Sequence, residues 1–155
     1  SGLMVYAKSM ECRLRFESDW KGIVYDRRYV ALVCGRMTQK NGTLQSWLKD
    51  DNQFFTHSYS HDIGGCKWAV THFTTLQAGG KTSLVELRLD TGRKNQIRVH
   101  MGDLGFPVAG DEKYGARINP AGRMCLHAIR LCFTHPYTGE PMEFSTPIPR
   151  AFVVE

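Results

Sequence analysis

Apolar and polar residues alternate in several short runs along this chain, and a helical period replaces the alternation in only two places. Leu3, Val5 and Ala7 alternate with Met4, Tyr6 and Lys8, which predicts a short strand. Ser9 then stands where a helix N-cap belongs, and Cys12, Phe16 and Trp20 follow at i, i+4 and i+8, one apolar stripe. Val24 to Cys34 is rich in β-branched and aromatic residues and stops at Gly35, a second strand. Leu44 to Tyr59 mixes both periods. Lys67 to Leu76 and Thr82 to Leu89 flank Gln77-Ala78-Gly79-Gly80-Lys81, whose paired glycines predict a hairpin. Ile97, Met101 and Leu104 return to the helical period, with Gly105 placed to end the helix. Ile129, Leu131 and Phe133 give another strand, His135 to Gly139 a turn, and Met142 to Ser145 its partner. Strands outnumber helices and hairpins join many of them, so the expected fold is α+β with a largely antiparallel sheet.

Length and composition narrow the class. At 155 residues, with no repeat or linker-like segment, the chain is read as one domain, 1–155, able to bury a core. No apolar run spans a bilayer, and the N-terminus carries no signal-peptide pattern. A chain that opens inside a strand-like run reads as part of a longer protein. Cys12, Cys34, Cys66, Cys125 and Cys132 are an odd, scattered set without Cys-x-x-Cys spacing. That argues against a disulfide framework and against a cysteine zinc site, and points to free thiols in a reducing cytosol. His57 and His61 have the spacing of a metal pair but no third ligand and no helical pattern, so no metal is expected. A net charge of +5 favours a polyanionic partner without establishing one.

The run from Leu89 to His100 breaks a local rule. Arg93, Lys94 and Arg98 sit at the start of the expected helix, where positive charge is unfavourable. Conflicts of this kind are expected where function overrides stability. Three cations, a glycine at Gly92 and free backbone N–H groups would suit an anion. A solvated basic helix end is the other reading the residues leave open.

Leu89-x-Thr91-Gly92-Arg93-x-x-Gln96-Ile97-Arg98-x-His100 resembles the signature L-x-T-G-R-x-H-Q-I-R-x-H of RluA-type RNA pseudouridine synthases. Leu104-Gly105-Phe106-Pro107-Val108, Gly110-Asp111-x-x-Tyr114, Leu126-His127-Ala128, His135-Pro136-x-Thr138-Gly139 and Pro147-x-Pro149 follow in the family's order. Upstream, Tyr29-Val30-Ala31-Leu32-Val33-x-Gly35 resembles the family's Y-x-A-L-V-x-G strand, and Trp20 its preceding aromatic. Ser1-Gly2-Leu3 resembles the end of H-R-L-D-x-x-T-S-G-L. The chain departs from the pattern at Asn95, where the family has histidine. No aspartate here stands in the H-R-L-D context.

The resemblance implies a pseudouridine synthase fold, incomplete at its N-terminus, and the isomerisation of uridine in rRNA or tRNA. The base must be flipped out of its stack, and an ionised aspartate with a guanidinium beside it is needed. Resemblance gives the guanidinium role to Arg98, and Tyr29 the stacking role against the flipped base. It places the aspartate upstream of Ser1, so this chain alone is expected to be inactive. Arg27, Arg28, Arg93, Lys94, Gln96 and Lys113 are the candidates for RNA contact, with Ile97 and Leu126 as walls of a base pocket. Gly110-Asp111 and Tyr114 are expected to shape a loop beside the site, and His100 and His127 to be hydrogen-bonded structural residues. An isomerisation needs no redox partner or group donor, so no cofactor is expected; the protein is expected to act as a monomer. The alternatives are a non-catalytic RNA-binding module derived from this fold, and a domain that binds a small phosphate ligand near Arg93.

Overall fold

The computed structural model describes residues 1–155. Ser9 accepts a hydrogen bond from the Cys12 N–H and opens helix α1, Met10–Ser18. Asp19 ends that helix and caps a short second one, α2, Trp20–Ile23. Trp20 therefore lies beyond the helix of Cys12 and Phe16, contrary to the single stripe expected, yet its ring still sits 6.1 Å from that of Phe16. Strand β1, Val24–Cys34, follows, then β2, Asn41–Asp50, and β3, Thr56–Tyr59. The stretch with mixed periods is thus two strands. The glycine hairpin joins β4, Lys67–Ala78, to β5, Thr82–Leu89. Helix α3, Gln96–Asp103, a 3-10 turn at Glu112–Tyr114, and strands β6, Leu126–Thr134, and β7, Pro141–Ser145, complete the chain.

All seven strands form one sheet in the order β3-β2-β4-β5-β1-β6-β7, each pair antiparallel. The α+β expectation holds. Strand β1 is an interior strand, flanked by β5 and β6. Val30, Ala31, Leu32 and Val33 are each 0% exposed. Consecutive strand residues point to opposite faces, so both faces of β1 are covered at this end. Ile97 and Met101 from α3, Val108, Ala109 and the C-terminal Phe152 share the core with them. Burial of this kind, roughly 1.5–3 kcal/mol per large side chain, is what holds α3 on the sheet. No helix is long and apolar enough to cross a membrane.

The strand expected at Leu3–Ala7 does not form. Gly2 makes a single parallel bridge to Ala128, and Ala128 exchanges hydrogen bonds with Ser1 and Leu3. From Arg130 onward β7 occupies that edge of β6, starting at the Arg130–Ser145 pair. Alternation in a sequence cannot make a strand without a free edge to pair with. Met4 and Tyr6 are left 69% and 77% exposed.

Candidate active site

Arg27 and Arg28 are adjacent on β1, and strand alternation sends them to opposite faces. Arg28 is ion-paired with Asp26 and Glu86 on the sheet face that carries Arg88 and His72. Arg27 and Tyr29 instead line a cavity of ≈ 230 Å³ closed by Leu3, Val5, Trp20 and Leu131. The Arg27 guanidinium lies 5.5 Å from the Trp20 ring centre. Burial holds its pKa below the ordinary guanidinium value, with Tyr29 acting in the opposite sense, and no carboxylate is ion-paired with it. A half-buried cation without an ion-pair partner is a ready receptor for an anion.

Gly92 presses on the same group. A Cβ there would stand 2.6 Å from Arg27 Nη1, so only glycine leaves the guanidinium in place. The Thr91-Gly92-Arg93 loop is tied down by Gln96. Its Oε1 accepts from Thr91 Oγ1 (2.8 Å) and the Arg93 N–H (3.0 Å), and its Nε2 donates to the Val70 carbonyl (2.9 Å) and Thr71 Oγ1 (3.0 Å). With 2% exposure and both ends of its amide engaged, Gln96 is a structural knot, not the RNA contact expected of it. Ile97, 4% exposed, belongs to the core and does not line the Tyr29 cavity. Leu126 packs against that core, and its carbonyl accepts from the Ser1 amino group.

The three cations at the start of α3 do not converge. Arg93 Nε donates to the Trp68 carbonyl at 3.0 Å, and Lys94 Nζ to Asp50 at 2.8 Å. Arg98 is gripped by Asp111: Nε and Nη2 each reach a different carboxylate oxygen at 2.7 Å. Its Nη1 donates to Asn95 Oδ1 at 2.9 Å, and its guanidinium lies 4.8 Å from the Tyr114 ring centre. The hydrogen bond to Asp111 raises the Arg98 pKa above its ordinary value, against the pull of burial. Lys113, on the 3-10 turn, donates to the Phe54 carbonyl at 3.1 Å.

Asn95 is where the chain departs from the family pattern. It precedes α3 with φ 56° and ψ 12°, a left-handed conformation that asparagine tolerates better than most residues. Its amide accepts from Arg98 and donates to Thr56 Oγ1 at 3.1 Å, and Thr56 Oγ1 donates to Asp50 at 2.5 Å. Lys94, Asp50, Thr56, Asn95, Arg98 and Asp111 thus form one chain of polar contacts. Asp111 was readable as a loop residue from the Gly110-Asp111-x-x-Tyr114 motif. Its pairing with Arg98 was not, because thirteen residues and a turn separate them.

A model of the RNA pseudouridylate synthase family matches residues 1–103, which include Arg27, Tyr29 and the whole Leu89–His100 segment. The chain belongs to that family. A ribosomal large subunit pseudouridine synthase D of Pasteurella multocida is 36% identical over 167 residues, covering 99% of this chain and 51% of that protein. An uncharacterized RNA pseudouridine synthase of Bacillus subtilis is 40% identical over 151 residues, covering 97% of this chain and 52% of the relative. The chain therefore spans about half the length of these curated relatives. Human RNA pseudouridylate synthase domain containing 1 superposes with a TM-score of 0.73 at 28% identity, over 88% of this chain and 59% of the human one. The fold is that of the pseudouridine synthases.

Proposed function

We propose that residues 1–155 are the C-terminal part of the catalytic domain of an RNA pseudouridine synthase, acting on rRNA or tRNA. Family membership supports the reaction class, and one observation in the molecule carries the reading. Tyr29 and Arg27, which makes no ion pair, share a cavity with room for a pyrimidine ring, and Gly92 of the signature abuts the Arg27 guanidinium.

In this reading the target uridine is flipped into that cavity and its ring stacks on Tyr29. Arg27 takes a phosphate or the charge that develops on the base. The reaction breaks the N1–C1′ bond, turns the uracil and forms the C5–C1′ bond; C5 gives up its proton and N1 gains one. In this reading the nucleophile is the aspartate of the family's H-R-L-D segment, a context in which no aspartate of residues 1–155 stands. Arg98 is the guanidinium that holds it ionised. Asp111 and Asn95 occupy one edge of Arg98 and one Nη1 hydrogen, which leaves two of its five N–H donors for that carboxylate. The five free thiols fit a reducing cytosol, and the protein is taken to act as a monomer.

The test is a pseudouridine assay on RNA incubated with this chain and with a longer version carrying the family's H-R-L-D segment. The longer protein turns over and the chain alone does not. Turnover by the chain alone would refute the outside nucleophile. A longer protein that binds RNA without forming pseudouridine would favour the RNA-binding module instead.

A further inference from the structure

We propose that the turn joining β2 to β3 is a clamp for the RNA strand, in which Phe54 stacks on an unpaired base flanking the target uridine. The proposal rests on the reading of this chain as part of an RNA-modifying enzyme, and adds a contact that lies outside the family signature segment.

The turn is rigid. Asp51 Oδ1 accepts from the N–H groups of Gln53 (2.8 Å) and Phe55 (2.9 Å), and the Asp51 N–H donates to the Phe55 carbonyl (2.8 Å). Phe55 supplies the apolar staple, with its ring 4.6 Å from Tyr114 and 4.7 Å from His57. Phe54 has no such duty. It is held at φ 57°, in the left-handed region that aromatic residues rarely adopt, with 71% of its surface in solvent. Glycine or asparagine would remove the strain, and any polar residue would remove the exposed apolar surface. A strained, exposed aromatic on a rigid turn is what a stacking platform requires.

The surroundings select nucleic acid. Lys94 Nζ lies 5.1 Å from the Phe54 ring centre, and Lys113 Nζ bonds the Phe54 carbonyl. At the foot of the turn a groove of ≈ 380 Å³ is lined by Lys49, Lys67, Arg93 and Lys94, with Asp50 the sole carboxylate among its lining residues. Lys49 and Arg93 donate to the carbonyls of Gly64 and Trp68, and neither is ion-paired with a carboxylate, though Asp62 lies near enough to feel Lys49. Gly92 also lines this groove and presses on Arg27 of the Tyr29 cavity. The basic track is therefore continuous from the base cavity to Phe54, as a single strand with one flipped nucleotide needs.

Binding of a short, fluorescently labelled single-stranded RNA to this chain, by anisotropy at several salt concentrations, tests the clamp. Phe54→Ala weakens binding roughly fivefold to a hundredfold, the worth of one base–aromatic stack. Phe54→Gly weakens it as much while the melting temperature holds or rises, which a merely structural phenylalanine would not do. Lys67→Gln lowers the slope of log affinity against log salt by about 0.7. Arg88→Glu, on the opposite sheet face, leaves affinity near wild type. Wild-type affinity in both Phe54 variants overturns the clamp, as does an equal loss in Arg88→Glu. If the unaltered chain binds no RNA, the clamp and the RNA reading fail together. If it binds with a salt dependence that the Phe54 and Lys67 variants share, the clamp alone fails.

Discussion

Arg98 meets Asp111 edge-on, through two parallel N–H···O bonds of 2.7 Å, and the Asp111 side chain is only 2% exposed. A bidentate pair fixes the guanidinium plane as well as its position. The helix that carries the family signature is thereby locked to the loop that follows it, with the Arg98 guanidinium held in one plane.

Arg98→Ala strands the Asp111 carboxylate in the protein. We expect a loss of about 3 kcal/mol, the lower end for breaking a buried pair, because Arg98 keeps 21% of its side chain in solvent. Arg98→Lys recovers part of it, since an ammonium cannot reproduce two parallel donors. The double variant Arg98→Met, Asp111→Leu recovers most of the stability. Urea unfolding of the four proteins measures this. In the longer enzyme, turnover falls sharply for Arg98→Ala while RNA affinity changes little, and single-turnover kinetics with parallel binding separates the two. Near-normal turnover would return Arg98 to a purely structural role.

Asn95 combines a left-handed backbone with two hydrogen bonds, and two substitutions separate these contributions. Asn95→Gly keeps the conformation and loses the bonds to Arg98 and Thr56. Asn95→Ala loses both, and should be less stable than the glycine variant by about 1 kcal/mol. Equal stabilities would show that the backbone there is unstrained.

Two histidines set the acid limit of stability. His100 is 3% exposed, its ring nitrogens 2.9 Å from Ser46 Oγ and 2.8 Å from Thr71 Oγ1, and burial pushes its pKa below the ordinary 6.5. His127 shifts the same way, first from burial and then from the N-terminal charge and Arg123; its Nε2 is enclosed without a partner. Both stay neutral in the fold while the unfolded chain takes up protons at 6.5. Stability is therefore complete above that pH and declines as pH falls below it. Asp50, Asp51 and Asp62, held below 3.8 by hydrogen bonds, add their loss only in stronger acid. Melting temperatures between pH 7 and about 4 should fall for the unaltered chain and fall less for His100→Gln. Identical profiles would exclude His100.

Gly92→Ala tests the cavity. The new methyl group would meet the mobile end of Arg27, so the fold should lose less than about 1 kcal/mol. In the longer enzyme the displaced guanidinium should cost on the order of tenfold to a hundredfold in turnover. A drop in melting temperature without loss of turnover would place Gly92 in the scaffold only.

Much of this molecule is legible in its sequence, because the informative patterns are local. Ser9 capping α1, the strand of Tyr29 to Val33, the Gly79-Gly80 hairpin and the α3 stop at Gly105 each depend on a few neighbouring residues, and each forms as read. The family too is written in short motifs in fixed order. Tertiary structure decided what depends on partners distant in the chain. Leu3–Ala7 has the alternation of a strand but no open edge, because β7 already holds β6. Gln96 reads as a contact residue until the fold surrounds its amide with Thr71, Val70, Thr91 and Arg93. Arg27 and Arg28 are the same residue type in the same strand, and the sheet gives one a cavity without an ion pair and the other two carboxylates. A sequence specifies which groups are present and how the backbone runs between them. Which charge stays uncancelled is a property of the packed structure, since it depends on every neighbour brought within a few ångströms.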